Sequence, residues 1–171
     1  MPTTADLTAL AETCLGHLAD EEAALSEVHL TLTGLRSALL SGGREELRQA
    51  AAAHAAASQH SSQLNARRVR LQGQLAEGLG LPVQDACVSA LRERVGEGHA
   101  ERLAESQRRI AEVAERVADA AKTSASLLAY CRTFFDDVWA EVESPKSNVV
   151  RYGPTGAQRP ANPATTVITQ G

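Results

Sequence analysis

The run from Asp6 to Gly43, DLTALAETCLGHLADEEAALSEVHLTLTGLRSALLSGG, decides the fold. Alternating steps of three and four residues pick out Leu7, Ala11, Cys14, Leu18, Glu21, Leu25, Val28, Leu32, Leu35 and Leu39. An α-helix turns about 100° per residue, so this spacing draws one stripe along one side of a helix. Only Glu21 interrupts its apolar character. A stripe of that length predicts a helix supercoiled with a neighbour rather than a lone surface helix. Thr3 and Thr4, ahead of Asp6, offer a capping hydroxyl and an acid for the first turn. Ser41-Gly42-Gly43 offers the stop, because glycine adopts the left-handed backbone that ends helices. The first helix is expected over about residues 4–41.

Working outward, Arg44 to about Gly78 reads as a second helix, expected over 44–78. So short a connection makes it fold back antiparallel on the first. Its first half is nearly all alanine, Ala50–Ala53 and Ala55–Ala57, with His54 and His60 interspersed. Small side chains there allow either a close helix–helix contact or a thinly held segment; alanine's helix propensity favours the contact. Leu64, Leu71 and Leu75 restore an apolar seam, and Gly78-Leu79-Gly80-Leu81-Pro82 ends the helix. A shorter helix, about 84–96, carries Val88, Leu91 and Val95 behind Asp85. Gly96 and Gly98 then mark a break or a kink. The last helix, about 98–143, shows Leu103, Ile110, Val113 and Val117 and stops before Pro145, since proline disfavours helix in the residue preceding it. The expectation is an all-α fold: a long antiparallel helical hairpin of coiled-coil type, with a third long helix beside it. Residues 144–171 lose the apolar period, turn rich in Pro, Gly, Ser, Thr and Asn, and read as a disordered tail.

Composition agrees. The chain has 171 residues, which is one domain by length, and only 3% are aromatic. Alanine, leucine, glutamate and arginine dominate, the balance of long helices. A net charge of −4 argues against a nucleic-acid binder, which needs a basic surface to replace counterions. Cys14, Cys87 and Cys131 have no close spacing and read as reduced thiols packed as small apolar side chains. The first residues lack a basic start followed by an apolar run, and no apolar stretch approaches membrane-spanning length. The expectation is a soluble, cytoplasmic protein without membrane insertion.

Catalysis has no constellation in this sequence. A carboxylate-bridged metal pair in a bundle needs Glu-x-x-His on two helices, and no Glu here has a His three residues later. His54 and His60, six residues apart, point about 120° away from each other around a helix. Cys-x-x-Cys pairs, a phosphate-binding loop and a Gly-x-Ser-x-Gly elbow are all missing. No metal, no cofactor and no catalytic residue is expected. The basic clusters Arg67-Arg68-Arg70 and Arg108-Arg109 read as solvated helix faces, with Glu105 and Glu112 at pairing distance along the helix.

One stretch stands apart. Leu127 to Val142 holds both phenylalanines, the one tryptophan and one of the two tyrosines: Phe134, Phe135, Trp139 and Tyr130. Leu127, Cys131, Phe134 and Val138 make one stripe, and Leu128, Phe135, Trp139 and Val142 a second beside it. Together they span an arc of roughly 140°, wider than a two-stranded seam requires. Such a face contacts two neighbouring helices, or one neighbour and a guest helix laid in the groove. Each aromatic that a guest buries would contribute on the order of 2 kcal/mol. Behind it, Tyr152-Gly153-Pro154-Thr155-Gly156 is a turn-forming pentamer with an aromatic anchor and no core to serve.

The order of these features resembles the FlgN-type flagellar export chaperones. A leucine heptad helix ends in Ala38-Leu39-Leu40-Ser41-Gly42-Gly43 and is followed by Leu47. A second helix carrying Leu64, Arg67 and Leu75 ends at Leu79-Gly80-Leu81-Pro82. A long last helix leads to Tyr152-Gly153-Pro154-Thr155-Gly156, similar to that family's Tyr-Gly-x-x-Gly tail motif. The likeness covers nearly the whole chain in layout. It departs at Lys122-Thr123-Ser124-Ala125-Ser126, where the family often carries paired asparagines, and in the leucine-poor second helix. The resemblance implies a non-enzymatic cytoplasmic chaperone of the flagellar type III secretion system. Its clients would be the helical ends of hook–filament junction proteins, bound along Leu127, Leu128, Cys131, Phe134, Phe135, Val138, Trp139 and Val142. Tyr152, with Gly153 and Gly156, would dock on the cytoplasmic domain of the export gate. The competing reading is a structural coiled-coil adaptor or homodimer, in which the aromatic stretch seals a self-interface and no client is carried.

Overall fold

A computed structural model describes residues 3–143, 151–152 and 158–159. The first helix, α1, spans Thr4–Ser41 and the second, α2, Arg44–Leu79. Thr3 caps α1 reciprocally. The Asp6 N–H donates to Thr3 Oγ1 at 3.2 Å, and the Thr3 N–H donates to Asp6 Oδ2 at 2.9 Å. The Thr3 hydroxyl also donates to Asp6 Oδ2, at 2.7 Å, and these bonds hold the Asp6 carboxyl below its ordinary pKa. At the other end Gly42, with φ of 73°, sits in the left-handed region and donates its N–H to Ala38 O. Gly80 repeats the device for α2 with φ of 62°.

Cross-helix contacts fix the directions. Thr31 meets His54, Glu27 meets His60, Glu21 meets Arg68 and Asp20 meets Arg67. Numbers fall along one helix as they rise along the other, so α1 and α2 are antiparallel. The α1 seam buries Ala11, Cys14, Leu18, Glu21, Val28 and Leu32, as the three–four spacing predicts, and adds Ala24 and Ala38 beside it. Leu25, Leu35 and Leu39 are only half-buried. A helix with two neighbours buries a wider arc than one seam, and alanines fill the positions of closest approach. Along α2, Ala57 is buried, Ala50 and His54 are half-buried, and the other alanines between them face outward.

The connector departs from expectation. In place of one helix over 84–96 there is a single 3-10 turn, Val83–Asp85, then a short helix α3, Val88–Arg92. Two long-range hydrogen bonds explain it. Gln72 Nε2 donates to Val83 O at 2.9 Å, and Arg94 Nη1 donates to Leu79 O at 2.5 Å, tying both ends of the segment to α2. Ala86 and Leu91 are both buried in the core, which requires extended backbone at Ala86 and Cys87. Gly96 lies outside both helices and Gly98 within the next, α4, Glu97–Glu143. The glycine pair therefore marks a break.

The beginning of α4 runs parallel to α1. Arg102 grips Glu12 with two nitrogens, at 2.6 and 3.3 Å, and His99 Nε2 lies 3.1 Å from the same carboxylate. One helical span further on, Arg109 Nε donates to Glu22 at 3.0 Å. The guanidinium of Arg102, ahead of His99, lowers the pKa of Glu12. Two apolar clusters form along this three-helix arrangement. The larger joins Ala11, Cys14 and Leu18 to Leu71, Leu75 and Leu79, Ala86, Leu91 and Leu103. The smaller has Val28, Leu32 and Ala57, with Val117 and Ala120 packed against it.

The chain divides into two units, Met1–Leu127 and Leu128–Gly171. Composition places a boundary near residue 143, whereas packing places it at 127. Among the described residues none beyond Ser124 is buried, so the apolar side chains after Leu127 add nothing to a core. The second unit contains the remainder of α4 and two strands, β1 (Arg151–Tyr152) and β2 (Gln158–Arg159). They pair antiparallel, with Arg151 opposite Arg159 and Tyr152 opposite Gln158. The remaining tail positions, read from sequence as disordered, lie outside the described residues. The fold is all-α, and these two strands are its only ladder among the described residues.

Candidate functional site

The sequence singles out the end of α4, and its side chains are exposed. Phe134 is 53% accessible, Phe135 67%, Trp139 62% and Val142 70%. Leu128 and Val138 are exposed too, as is Tyr130 beside them. Leu127 and Cys131 are half-buried. The Phe134 and Phe135 rings meet edge to face, centroids 5.8 Å apart and planes at 70°, a geometry that aromatic quadrupoles favour. Several seam leucines of the first unit behave differently: Leu18, Leu64, Leu71, Leu75 and Leu103 are buried. Contiguous large apolar side chains on a surface mark docking sites far more often than scattered ones do.

Charge frames this face. By the 100° rule Asp137 and Glu141 fall along one edge of the double stripe, and Arg132 and Asp136 along the other. Arg132 Nε lies 3.8 Å from Asp136 Oδ2, a loose pair between two well-exposed side chains. The last turn of α4 holds no basic residue.

Tyr152 belongs to β1, where it pairs with Gln158. Gly153 and Gly156, the other gate-docking positions suggested by the motif, lie outside the described residues.

The basic clusters are where sequence reading missed a role. Arg108 does pair along its own helix, with Glu105 at 2.6 Å and with Glu112. Arg67, Arg68 and Arg109, however, reach across to Asp20, Glu21 and Glu22 of α1. A signal existed: Glu21 alone breaks an apolar seam and needs a cation from the facing helix. Counting equal distances from the Gly42-Gly43 turn brings Arg68 within about one helical turn of it. His17 completes the group, its Nε2 3.1 Å from the Glu21 oxygen that Arg68 holds at 2.8 Å. These three line one wall of an open cavity of about 440 Å³, with Leu18, Leu71 and Ile110 among its apolar sides.

Among the described residues no three His, Cys, Asp or Glu side chains converge as metal ligands would. All three thiols are free: Cys14 buried, Cys87 exposed and Cys131 half-buried. Burial alone pushes the Cys14 thiol up to about 11. No described helix is long and apolar enough to cross a membrane. Compared with protein-family models, curated proteins and solved structures, the chain matches none.

Proposed function

We propose that this protein is a carrier rather than an enzyme, and that it binds an amphipathic helix of a client along the α4 face from Leu127 to Val142. The observation that carries the reading is the exposure of Phe134 and Phe135, side chains that a helix serving only its own bundle would bury. A client segment that folds as it binds loses conformational entropy in doing so. Its affinity is then moderate for the area covered, which suits a carrier that must release its load.

In its specific form the carrier is a cytoplasmic export chaperone for flagellar hook–filament junction proteins. It keeps their helical ends from assembling early and delivers them to the export gate, with Tyr152 as the docking anchor. The support for this form is the order of motifs from the leucine heptad to Tyr152-Gly153-Pro154-Thr155-Gly156.

The test is calorimetry with the terminal helical segments of such junction proteins. Phe134→Ala combined with Trp139→Ala is expected to keep the helical circular-dichroism signal and to abolish binding. Unchanged affinity rejects the face as the binding site. Tyr152→Ala is expected to weaken capture by the gate's cytoplasmic domain while client affinity is kept.

A further inference from the structure

Glu21 is the one break in the α1 stripe, and it lines a cavity that the carrier reading does not use. The space, about 440 Å³, is the size of a small-molecule site. Leu18 and Leu71 supply apolar wall from the hairpin, Val88 from α3 and Ile110 from α4. All of its lining residues belong to the first unit, so the site stands or falls apart from the aromatic face. A buried charge beside an apolar cavity weakens a core, and such departures from local consistency gather at functional sites. The polar wall is unequal. The Glu21 side chain is only 8% exposed, and His17 and Arg68 both meet it at Oε1. The Arg68 side chain is 61% exposed and spends only its Nε on Glu21. A guanidinium is a flat fork of five N–H donors, so the edge carrying Nη1 and Nη2 remains for a second carboxylate. Gln107 adds a neutral donor, because its Oε1 accepts from Arg92 Nη1 at 3.3 Å and its amide N–H is left over. The titratable or charged side chains lining the cavity are His17, Glu21, Arg68 and the Cys87 thiol. Among them the positive charge is within reach and the negative one is covered.

We infer that this cavity binds a small amphiphile with one carboxylate head and an aliphatic body. The head sits on the Nη edge of Arg68, and the body lies against Leu18, Leu71 and Ile110. A carboxylate gains charge-assisted hydrogen bonds there, whereas an alcohol of the same length gains only neutral ones. An ammonium head meets Arg68 as a like charge. To reach Glu21 it must break a buried pair, and that is costly. Rejection of the wrong head by like charge is a common source of specificity.

Cys87 lines the cavity and is exposed, Cys14 is buried, and Cys131 belongs to the second unit. Protection of Cys87 from a thiol reagent therefore reports occupancy, read peptide by peptide by mass spectrometry with Cys131 as internal reference. Hexanoate, octanoate and decanoate are titrated into the full chain at neutral pH below their micelle concentrations, with octanol and octylamine as head-group controls. Affinity is expected to rise about fourfold per added methylene until the apolar wall is covered. Octanoate should bind at least about tenfold tighter than octanol, with octylamine weakest and Cys131 labelling unchanged throughout. Arg68→Lys keeps a charge opposite Glu21 but loses the fork, so it should weaken octanoate about tenfold and leave octanol as it was. Ala111→Trp, at an exposed lining position, should abolish protection while the circular-dichroism signal is kept. Octanoate no tighter than octanol, or octylamine the tightest, overturns the carboxylate assignment. Protection by none of the five, with the chain folded, overturns the site itself. Equal protection of Cys87 and Cys131 marks general surfactant action and overturns it too. Should Arg68→Lys fold poorly, the ranking of the three heads on the unaltered chain decides alone.

Discussion

Cys14 sits at a seam position of α1, with no accessible surface, among Leu18, Leu71, Leu75 and Leu103. Its thiol has nothing to ionise against, and burial raises its pKa from 9.0 to about 11. A raised pKa in the folded state means that folding favours the protonated form. The resulting stability is complete below pH 9 and is lost as the pH climbs through about 11. The cost over that window is on the order of 2 kcal/mol. Urea unfolding at pH 8 and pH 11 should therefore show a larger loss for the unaltered chain than for Cys14→Ala. In the native state Cys87 should react at once with a thiol reagent, and Cys14 only as the protein unfolds. Equal loss in both proteins, or fast native labelling of Cys14, would mean that the three-helix junction is looser than this packing requires. Glu21 makes the opposite use of burial. It is a charged group inside the seam, kept there by His17 along its own helix and by Arg68 from the facing one. Removing one partner of such a group is costly, so the cluster acts as a register mark for the hairpin more than as a source of net stability.

At the scale of the helix, two pairs of glycines differ in how each would take a side chain. Gly16 in α1 and Gly73 in α2 lie in helix interiors, and a Cβ added at either meets nothing within 4 Å. Gly16→Ala and Gly73→Ala should each stabilise the protein by about 0.5–1 kcal/mol through backbone entropy and helix propensity. Gly42 and Gly80 also have open space around them, but their positive φ makes alanine strained whatever the room. Gly42→Ala and Gly80→Ala should destabilise by about 1–2 kcal/mol. Four chemical-denaturation curves test the division, and a stabilising Gly80→Ala would refute the cap assignment. The same distinction explains what was legible beforehand. The bounds of α1 and α2 follow from local rules, a three–four period closed by glycines, and local rules are written in the sequence. The shape of the connector is not local, because Gln72 and Arg94 hold it from outside its own span. The roles of Arg67, Arg68 and Arg109 were hidden for a similar reason: a basic cluster looks alike whether it faces water or a neighbouring helix. The aromatic stretch was legible as a double stripe. Its exposure was not, since spacing records which side chains share a face and is silent on whether anything covers it.

Taken whole, the molecule separates what holds it together from what it offers. Among the described residues the buried apolar side chains all lie between Ala11 and Val113. The ion pairs that link different helices run from Glu12 with Arg102 to Glu27 with His60, inside that interval or just beside it. The rings at Phe134, Phe135 and Trp139 belong to the second unit, together with β1 and β2. Stability and docking are then expected to be separable by truncation. A chain ending at Leu127 keeps both apolar clusters and every one of those cross-helix pairs. Among the described residues it gives up exposed side chains, the half-buried Cys131, the β1–β2 pairing and the backbone hydrogen bonds of one helix end. In exposed helix those bonds contribute little net stability, because water replaces them and the chain regains its freedom. Thermal unfolding of residues 1–127 should remain a single cooperative transition, with a midpoint within about 4 °C of the full chain, since a difference near 1 kcal/mol moves a domain of this size by that much. Binding of the client segments should vanish when measured by calorimetry. A large fall in the midpoint, or loss of cooperativity, would show that the aromatic end stabilises the bundle. The exposed rings would then be serving the fold, and the carrier reading would lose the observation it depends on.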